Sequence, residues 1–388
     1  MADSFIPYGR QEISEDDVIA VIETLRSDFL TQGTQVPAFE QAVAQKVGAT
    51  HAIALNSATS ALHVACMALN LGPGDWLWTV PNTFVASANC AIYCGAQVDF
   101  VDIHPATYTM CPEALEHKLK IAKEAGRLPK VIIPVHLCGQ SADMKTIAKL
   151  ALGHGIKVIE DASHSIGATH LGRPVGDCQY SDITVFSFHP VKIITTCEGG
   201  MATTQDKDLA RKMELARSHG ITREPSEMSH DPDGPWYYQQ ISLGYNYRMT
   251  EIQAALGLSQ LKRLDQFVER RRILASQYDA QLLSLPLQLP FQNTENASSW
   301  HLYVVRVAAN IRAFIFEHMR TAGIGVNLHY IPIHTQPFYQ AMELDYGQFP
   351  EAESYYAEAI SIPLYAGMSD EDQRRVVMVL TQALKASR

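Results

Sequence analysis

The chain has 388 residues, 47% of them hydrophobic and 19% charged, which is enough for a large core and more than one simple domain commonly holds. A formal net charge of -10 argues against a nucleic-acid surface, and no Lys/Arg run builds one. A phosphorylated small ligand stays open, because backbone amides bind phosphate without a basic surface.

Seven cysteines with no CxxC pair fit buried, reduced thiols; Cys90 and Cys94 are spaced i, i+4 but no matching His/Cys pair follows, so no metal is expected. MADSFIPYGR lacks the charged and apolar regions of a signal peptide, and no apolar run is long enough to span a bilayer. The expected location is the cytoplasm.

Ser14, followed three residues later by Asp17, has a capping pattern that opens a helix over 14–26. A second helix covers about 37–47. Short apolar runs at 51–55, 97–101, 131–135, 157–160, 183–188 and 201–204 read as strands, and the segments 58–69, 83–94, 112–125 and 142–154 between them read as helices. This alternation predicts an α/β fold with a mostly parallel sheet covered on both faces. The polar segment 222–237 reads as a long surface loop. One long helix is expected from about 250 to 278, with the domain boundary near 265–285: a large domain over 1–265 and a small one over 266–388.

Three segments end strands with chemically suggestive residues, and in open α/β sheets ligands sit at those carboxyl ends. In AIALNSATSAL, Asn56 and Ser57 turn the chain into a helix starting near Ala58 and Thr59, exposing amides suited to a phosphate. Read alone, Ser57 is more often an ordinary N-cap with no ligand. In KVIEDASHS, Asp161 follows an apolar strand, and a buried carboxylate there needs a cation such as a protonated pyridine nitrogen. His164, three residues on, is placed to reach that ring's phenolic oxygen; a helix cap for Asp161 and a structural role for His164 are the plain alternatives. In FSFHPVKIITTCEGG, Ser187 ends a strand and Lys192 lies between apolar strands, where a desolvated amine of lowered pKa forms Schiff bases. Gly199 and Gly200 are read as letting backbone pass close to a ligand. The order phosphate turn, Asp, Ser-x-x-x-x-Lys describes a pyridoxal-phosphate site, and the chain contains neither GxGxxG nor GxxxxGK[ST].

The motifs LTQG (30–33), NSATSAL (56–62), PNTFVAS (81–87), EDASHS (160–165), FSFHPVK (186–192), EGG (198–200), NYRMTEIQAALGLSQL (246–261) and HYIPIH (329–334) resemble the DegT/DnrJ/EryC/StrS family of sugar aminotransferases from about residue 6 to the C-terminus. The resemblance implies the type I, aspartate-aminotransferase-like fold, with a smaller α+β C-terminal domain, and pyridoxal 5'-phosphate as cofactor. It implies that Lys192 holds the cofactor and moves the proton, that Asp161 pairs the pyridine nitrogen and that His164 contacts the ring oxygen. Phe84 would stack on the ring, and Ala58, Thr59 and Ser187 would hold the phosphate. Asn246 would reach the neighbouring subunit's cofactor phosphate, which implies a homodimer with shared active sites. Tyr8, Asp28, Phe29, Leu30, Thr31, Asn327, Leu328, His329 and Tyr330 would contact the nucleotide-sugar. Ala58 stands where many relatives have Gly, which requires a negative φ. Within the family, NSATSAL, the FSFHxxKxITTxEGG pattern and RSHG (217–220) are most similar to the pseudaminic acid branch, whose members move an amino group from glutamate to C4 of UDP-4-keto-6-deoxy-N-acetyl-altrosamine. A sugar dehydratase of the same family has His in place of the lysine, which Lys192 argues against. A cofactor-binding regulator without catalysis is the rival from another class.

Overall fold

The computed structural model describes residues 5–387. Ser14 caps the first helix, α1 (Glu15–Leu25): its hydroxyl accepts from Asp17 N at 3.4 Å, and the Asp17 carboxylate accepts from Ser14 N at 2.8 Å. Helix α2 (Gln35–Val47) ends on Gly48, whose φ of 79° is the left-handed stop that glycine allows.

A seven-stranded sheet follows. Its strands are β1 (His51–Leu55), β2 (Trp76–Thr79), β3 (Gln97–Phe100), β4 (Val131–Ile132), β5 (Lys157–Asp161), β6 (Ile183–Ser187) and β7 (Gly200–Thr204), in spatial order β1-β7-β6-β5-β4-β2-β3. All neighbours run parallel except β7, which is antiparallel to both β1 and β6. Strand β6 is buried at all five residues, as a parallel strand covered on both faces must be. Helices α3 (Ala58–Ala68), α4 (Ala86–Tyr93), α5 (Pro112–Glu124), α6 (Met144–Leu152) and α7 (Lys207–Arg217) connect or cover the strands. The mostly parallel α/β sheet is as the alternation predicts. Strand β2 and helix α7 are additions to the expected set, and the run at 131–135 pairs as a ladder only at Val131 and Ile132, with Val135 making a lone bridge to Asp161.

The single helix expected from 250 to 278 is two, α8 (Glu251–Leu261) and α9 (Leu264–Leu282). Two contacts account for the break. Gly257 of α8 seats against the Phe39 ring of α2, where an added Cβ would meet the ring at 2.6 Å. Arg263, between the helices, donates to the Asp17 carboxylate at 2.5 Å. Lys262 keeps helical dihedrals and the helix breaks at Arg263, with φ -103° and ψ 3°. Leu264, Phe267 and Val268 of α9 pack with Phe39 and Phe186, while its later residues Leu274, Tyr278 and Leu282 join a separate core with Tyr303, Val305, Ile360 and Leu380. Ile6, from the other end of the chain, packs into that second core and bridges to Ile324. Residues 222–237 are largely irregular, as expected for a loop. Among the described residues, no helix is long and apolar enough to cross a membrane.

Asp17 ties this corner together, accepting from Arg263, from Gln260 at 2.7 Å and from Ser14 N. Burial alone would raise its pKa, but the hydrogen bonds from Ser14, Ser259 and Gln260 and the Arg263 charge outweigh burial, and the net shift is downward. A carboxyl of depressed folded pKa stabilises fully above its unfolded pKa and loses that contribution as pH falls through the folded value. Asp17→Asn, which turns an amide towards three donors, is expected to cost about 1–3 kcal/mol near pH 7 in urea unfolding. The two proteins should converge as the acid carboxyl protonates; an equal difference at neutral and acid pH would remove the charge from this account.

Candidate active site

Strands β1, β5 and β6 run the same way, so Ser57, Asp161 and Ser187 leave the sheet along one edge. Antiparallel β7 begins on that edge with Gly200, which pairs with Leu55 on one side and Ser187 on the other. A cleft of about 570 Å³ opens there. It brings together Tyr8, Ala58, Thr59, Phe84, Asp161, His164, Ser187, Lys192, Asn327, Leu328, His329 and Tyr330.

Asp161 is buried, and both carboxylate oxygens are held by neutral donors. Ser87 Oγ donates to Oδ2 at 2.6 Å and Ser163 N to Oδ1 at 3.1 Å. Thr83 Oγ1 lies 2.9 Å from Ser87 Oγ, extending the chain of hydroxyls behind the carboxylate. These donors fix its orientation without neutralising it, so its negative charge remains available to a cation in the cleft.

Lys192 faces that charge. It lines the cleft, and burial lowers its pKa to about 8 against the opposing pull of Asp161. Three buried imidazoles stand nearby. Burial, then the Lys192 and His329 charges, hold His164 well below the ordinary histidine pKa. Burial and Lys192 bring His329 to about 3. His164 Nδ1 accepts from Cys138 N at 3.3 Å, so the neutral ring carries its proton on Nε2, which donates to Tyr330 Oη at 3.2 Å. His301 packs its ring 4.3 Å from that of His164. Its Nδ1 is buried without a hydrogen-bond partner, a condition that costs about 1–3 kcal/mol when nothing fills it.

The turn after β1 closes on itself. Ser57 caps α3, accepting from Ser60 N at 3.1 Å, and Ala58 is absent from the positive-φ residues, as its side chain requires. A Cβ on Gly200 would lie 2.5 Å from Ala58 N and from the Ser57 carbonyl carbon. The close approach of Gly200 is therefore to the turn itself, because β1 and β7 are paired neighbours there, while Gly199 seats against Thr196 and Met249. Phe84 is 57% exposed, with its ring 6.1 Å from that of Tyr330, an apolar face left bare over the cleft.

Not all the expected residues meet in this cleft. Asp28, Phe29, Leu30 and Thr31 are exposed on the surface, where Glu251 N donates to Leu30 O at 3.1 Å. Asn246 is likewise exposed and outside the cleft, its carbonyl 3.5 Å from Asn56 Nδ2. Sequence reasoning left out Ser87 and His301. The PNTFVAS motif held Ser87 among its small polar residues, just inside α4; nothing local in SSWHLY marks His301.

A family model for DegT/DnrJ/EryC1/StrS aminotransferases matches residues 11–381. The chain belongs to this family. It is 38% identical over 391 residues to the spore coat polysaccharide biosynthesis protein SpsC of Bacillus subtilis, covering 99% of this chain and 98% of that protein. The structure is similar to that of Helicobacter pylori PseC, an aminotransferase of pseudaminic acid biosynthesis (30% identity, TM-score 0.91, 99% and 100% of the two chains). It is also similar to Spr1654 of Streptococcus pneumoniae in its PLP form (28% identity, TM-score 0.90, 99% and 100%). The protein is a sugar aminotransferase with the type I fold, dependent on pyridoxal phosphate.

The residues of the cleft fit that cofactor. A helix N-terminus with free amides suits its phosphate, a fixed carboxylate suits its ring nitrogen, and an amine of lowered pKa suits its aldehyde. Capture of the aldehyde needs the neutral amine, so the rate of cofactor uptake by cofactor-free protein should rise with pH and level off above about 8. Asp161→Asn removes the charge that raises the Lys192 pKa and should move this inflection to lower pH. Ser87→Ala frees the carboxylate and should weaken cofactor affinity about 10-fold, read by equilibrium dialysis. A pH-independent uptake rate, or unchanged affinity in Ser87→Ala, would contradict this arrangement.

Proposed function

We propose that the protein transfers the amino group of L-glutamate to C4 of a nucleotide-linked 4-keto-6-deoxy sugar, with UDP-4-keto-6-deoxy-N-acetyl-altrosamine as the substrate of choice. The observation that carries this reading is the buried Lys192 amine beside the Asp161 charge in a cleft large enough for a sugar. The likeness to PseC across the full chain supports the choice of sugar.

In this reading Lys192 holds the cofactor and, when displaced by a substrate amine, moves the proton between substrate carbon and cofactor. Its lowered pKa suits it to act as base and acid in turn. Asp161 holds the ring nitrogen's proton, His164 meets the ring oxygen, Phe84 covers the ring, and Ala58, Thr59 and Ser187 hold the phosphate. Bound there, pyridoxal phosphate supplies an aldehyde to carry the amino group and an electron-poor ring to spread charge when a C–H bond breaks. Tyr8 and Asn327 to Tyr330 contact the sugar from the C-terminal side of the cleft.

The protein acts as a homodimer in the cytoplasm. Val18, Ile19, Ile22 and Leu25 of α1 join Phe29 and Leu30 in leaving apolar side chains exposed, and such surfaces are commonly covered by a partner. Pairing across such a face would give Asp28 to Thr31 and Asn246 their roles in the neighbouring subunit's site. Similarity to SpsC, a protein of polysaccharide biosynthesis, favours a second reading in which an epimeric or differently substituted nucleotide keto-sugar is the acceptor.

The test supplies protein, pyridoxal phosphate and glutamate with the altro or the gluco epimer of UDP-4-keto-6-deoxy-N-acetyl-hexosamine, and follows amino-sugar formation by mass spectrometry. Amination of the altro epimer is the expected result. Amination of the gluco epimer alone would move the protein to the second reading, and a protein that binds the cofactor yet leaves glutamate untouched would be a silent regulator.

A further inference from the structure

His301 lies just before the strand Tyr303–Arg306, beside the segment that follows β5, where Ser299 Oγ donates to His164 O at 3.0 Å, and is 3% exposed. Its backbone is fixed: Arg271, itself fully buried, donates Nη1 to the carbonyls of Trp300, His301 and Leu364 at 3.2, 3.2 and 2.9 Å. Its ring lines the cleft beside His164, and its Nδ1 is left without a partner. A rigidly held, buried imidazole that lines a ligand cleft and keeps a ring nitrogen unpartnered is a group whose partner arrives with the ligand.

The cleft narrows what that ligand group is. Within one chain its lining contains two carboxylates, Asp161 and Glu198, and no arginine among the described residues, so this chain offers an acidic amino donor few complementary groups. The Lys192 amine is committed to the cofactor in the function proposed above. His164 spends Nδ1 on Cys138 N and Nε2 on Tyr330 Oη. His329 spends Nδ1 on Ser361 Oγ at 2.8 Å and has Nε2 3.5 Å from Asn327 Nδ2. Of the three buried imidazoles, His301 alone has a buried ring nitrogen free.

We propose that His301 is the contact for a carboxylate of the amino donor, donating a ring N–H to it. This rests on the aminotransferase function proposed above and names a residue specific to its first half-reaction. Burial comes first among the causes that keep the free imidazole neutral, followed by the neighbouring His164, Lys192, Arg271 and His329. An arriving carboxylate favours the imidazole N–H, so the site becomes a better donor when the acidic substrate enters.

The experiment compares wild type, His301→Leu and His301→Gln, each loaded with pyridoxal phosphate. Three quantities are read: the cofactor dissociation constant, the glutamate concentration that half-saturates conversion of the bound cofactor from aldehyde to amine form by absorbance, and the dissociation constant of glutarate, a dicarboxylate that cannot react. His301→Leu should raise the glutamate and glutarate constants about 10-fold or more while cofactor affinity stays within about 3-fold, and His301→Gln, which keeps an N–H donor, should fall between. If His301→Leu does not fold, His301→Gln decides alone. Glutamate and glutarate constants within about 2-fold of wild type in the folded variants would overturn the proposal, as would a matching loss of cofactor affinity. A wild-type protein inert to glutamate would sink the donor reading itself, and glutarate binding would then still decide whether His301 takes carboxylates.

Discussion

A carboxylate and an amine stand together at the carboxyl edge of the sheet, both withdrawn from water, and the surrounding structure is arranged to keep them so. Asp161 stays oriented because Ser87 and the Ser163 amide satisfy it without cancelling its charge. Lys192 stays low in pKa because burial outweighs that charge. A lone buried charge is expensive, and one held by neutral donors opposite an amine is tolerable mainly when a further cation completes it. The ring nitrogen of the cofactor is that cation, so the polar architecture of the cleft is organised for a group that the chain alone does not contain.

The sheet supplies the rigidity this needs. Asp161 and Ser187 end neighbouring parallel strands, and Ser57 and Gly200 meet across the antiparallel pair beside them, so four site positions share one edge. Gly200 lets that edge close onto the Ser57–Ala58 turn, fixing the helix N-terminus relative to the carboxylate. The opposite wall includes Tyr8, Leu328 and Tyr330, which pack against the same core that holds the sheet. The cleft is therefore walled on both sides by residues packed on one core, Ala58 among them on the sheet side.

Much of this was legible in the sequence, for physical reasons that differ by element. Buried parallel strands read as apolar runs, and residues directly after them must lie at the ligand edge, which is why Asp161, Ser187 and the 56–59 turn could be placed from sequence. The helix break at Lys262–Arg263 could not, since LKRLDQ contains neither Pro nor Gly and the break comes from contacts with Phe39 and Asp17 distant in sequence. The pairing of Ile6 with Ile324 is long-range in the same way. His301 carries no local pattern at all, and its place beside His164 follows only from how the C-terminal chain crosses the sheet edge. Asn246 and the 28–31 segment illustrate another limit: motif resemblance assigns them a site, while a single chain leaves them on its surface.

The central claim is that the Lys192 amine is where the cofactor is held, and reduction of the cofactor-loaded protein with borohydride tests it most directly by fixing any such link. Peptide mass spectrometry should then find the pyridoxyl group on Lys192 alone, in a peptide containing FSFHPVK. Label on a different lysine, or none on a protein that has taken up the cofactor, would contradict the account.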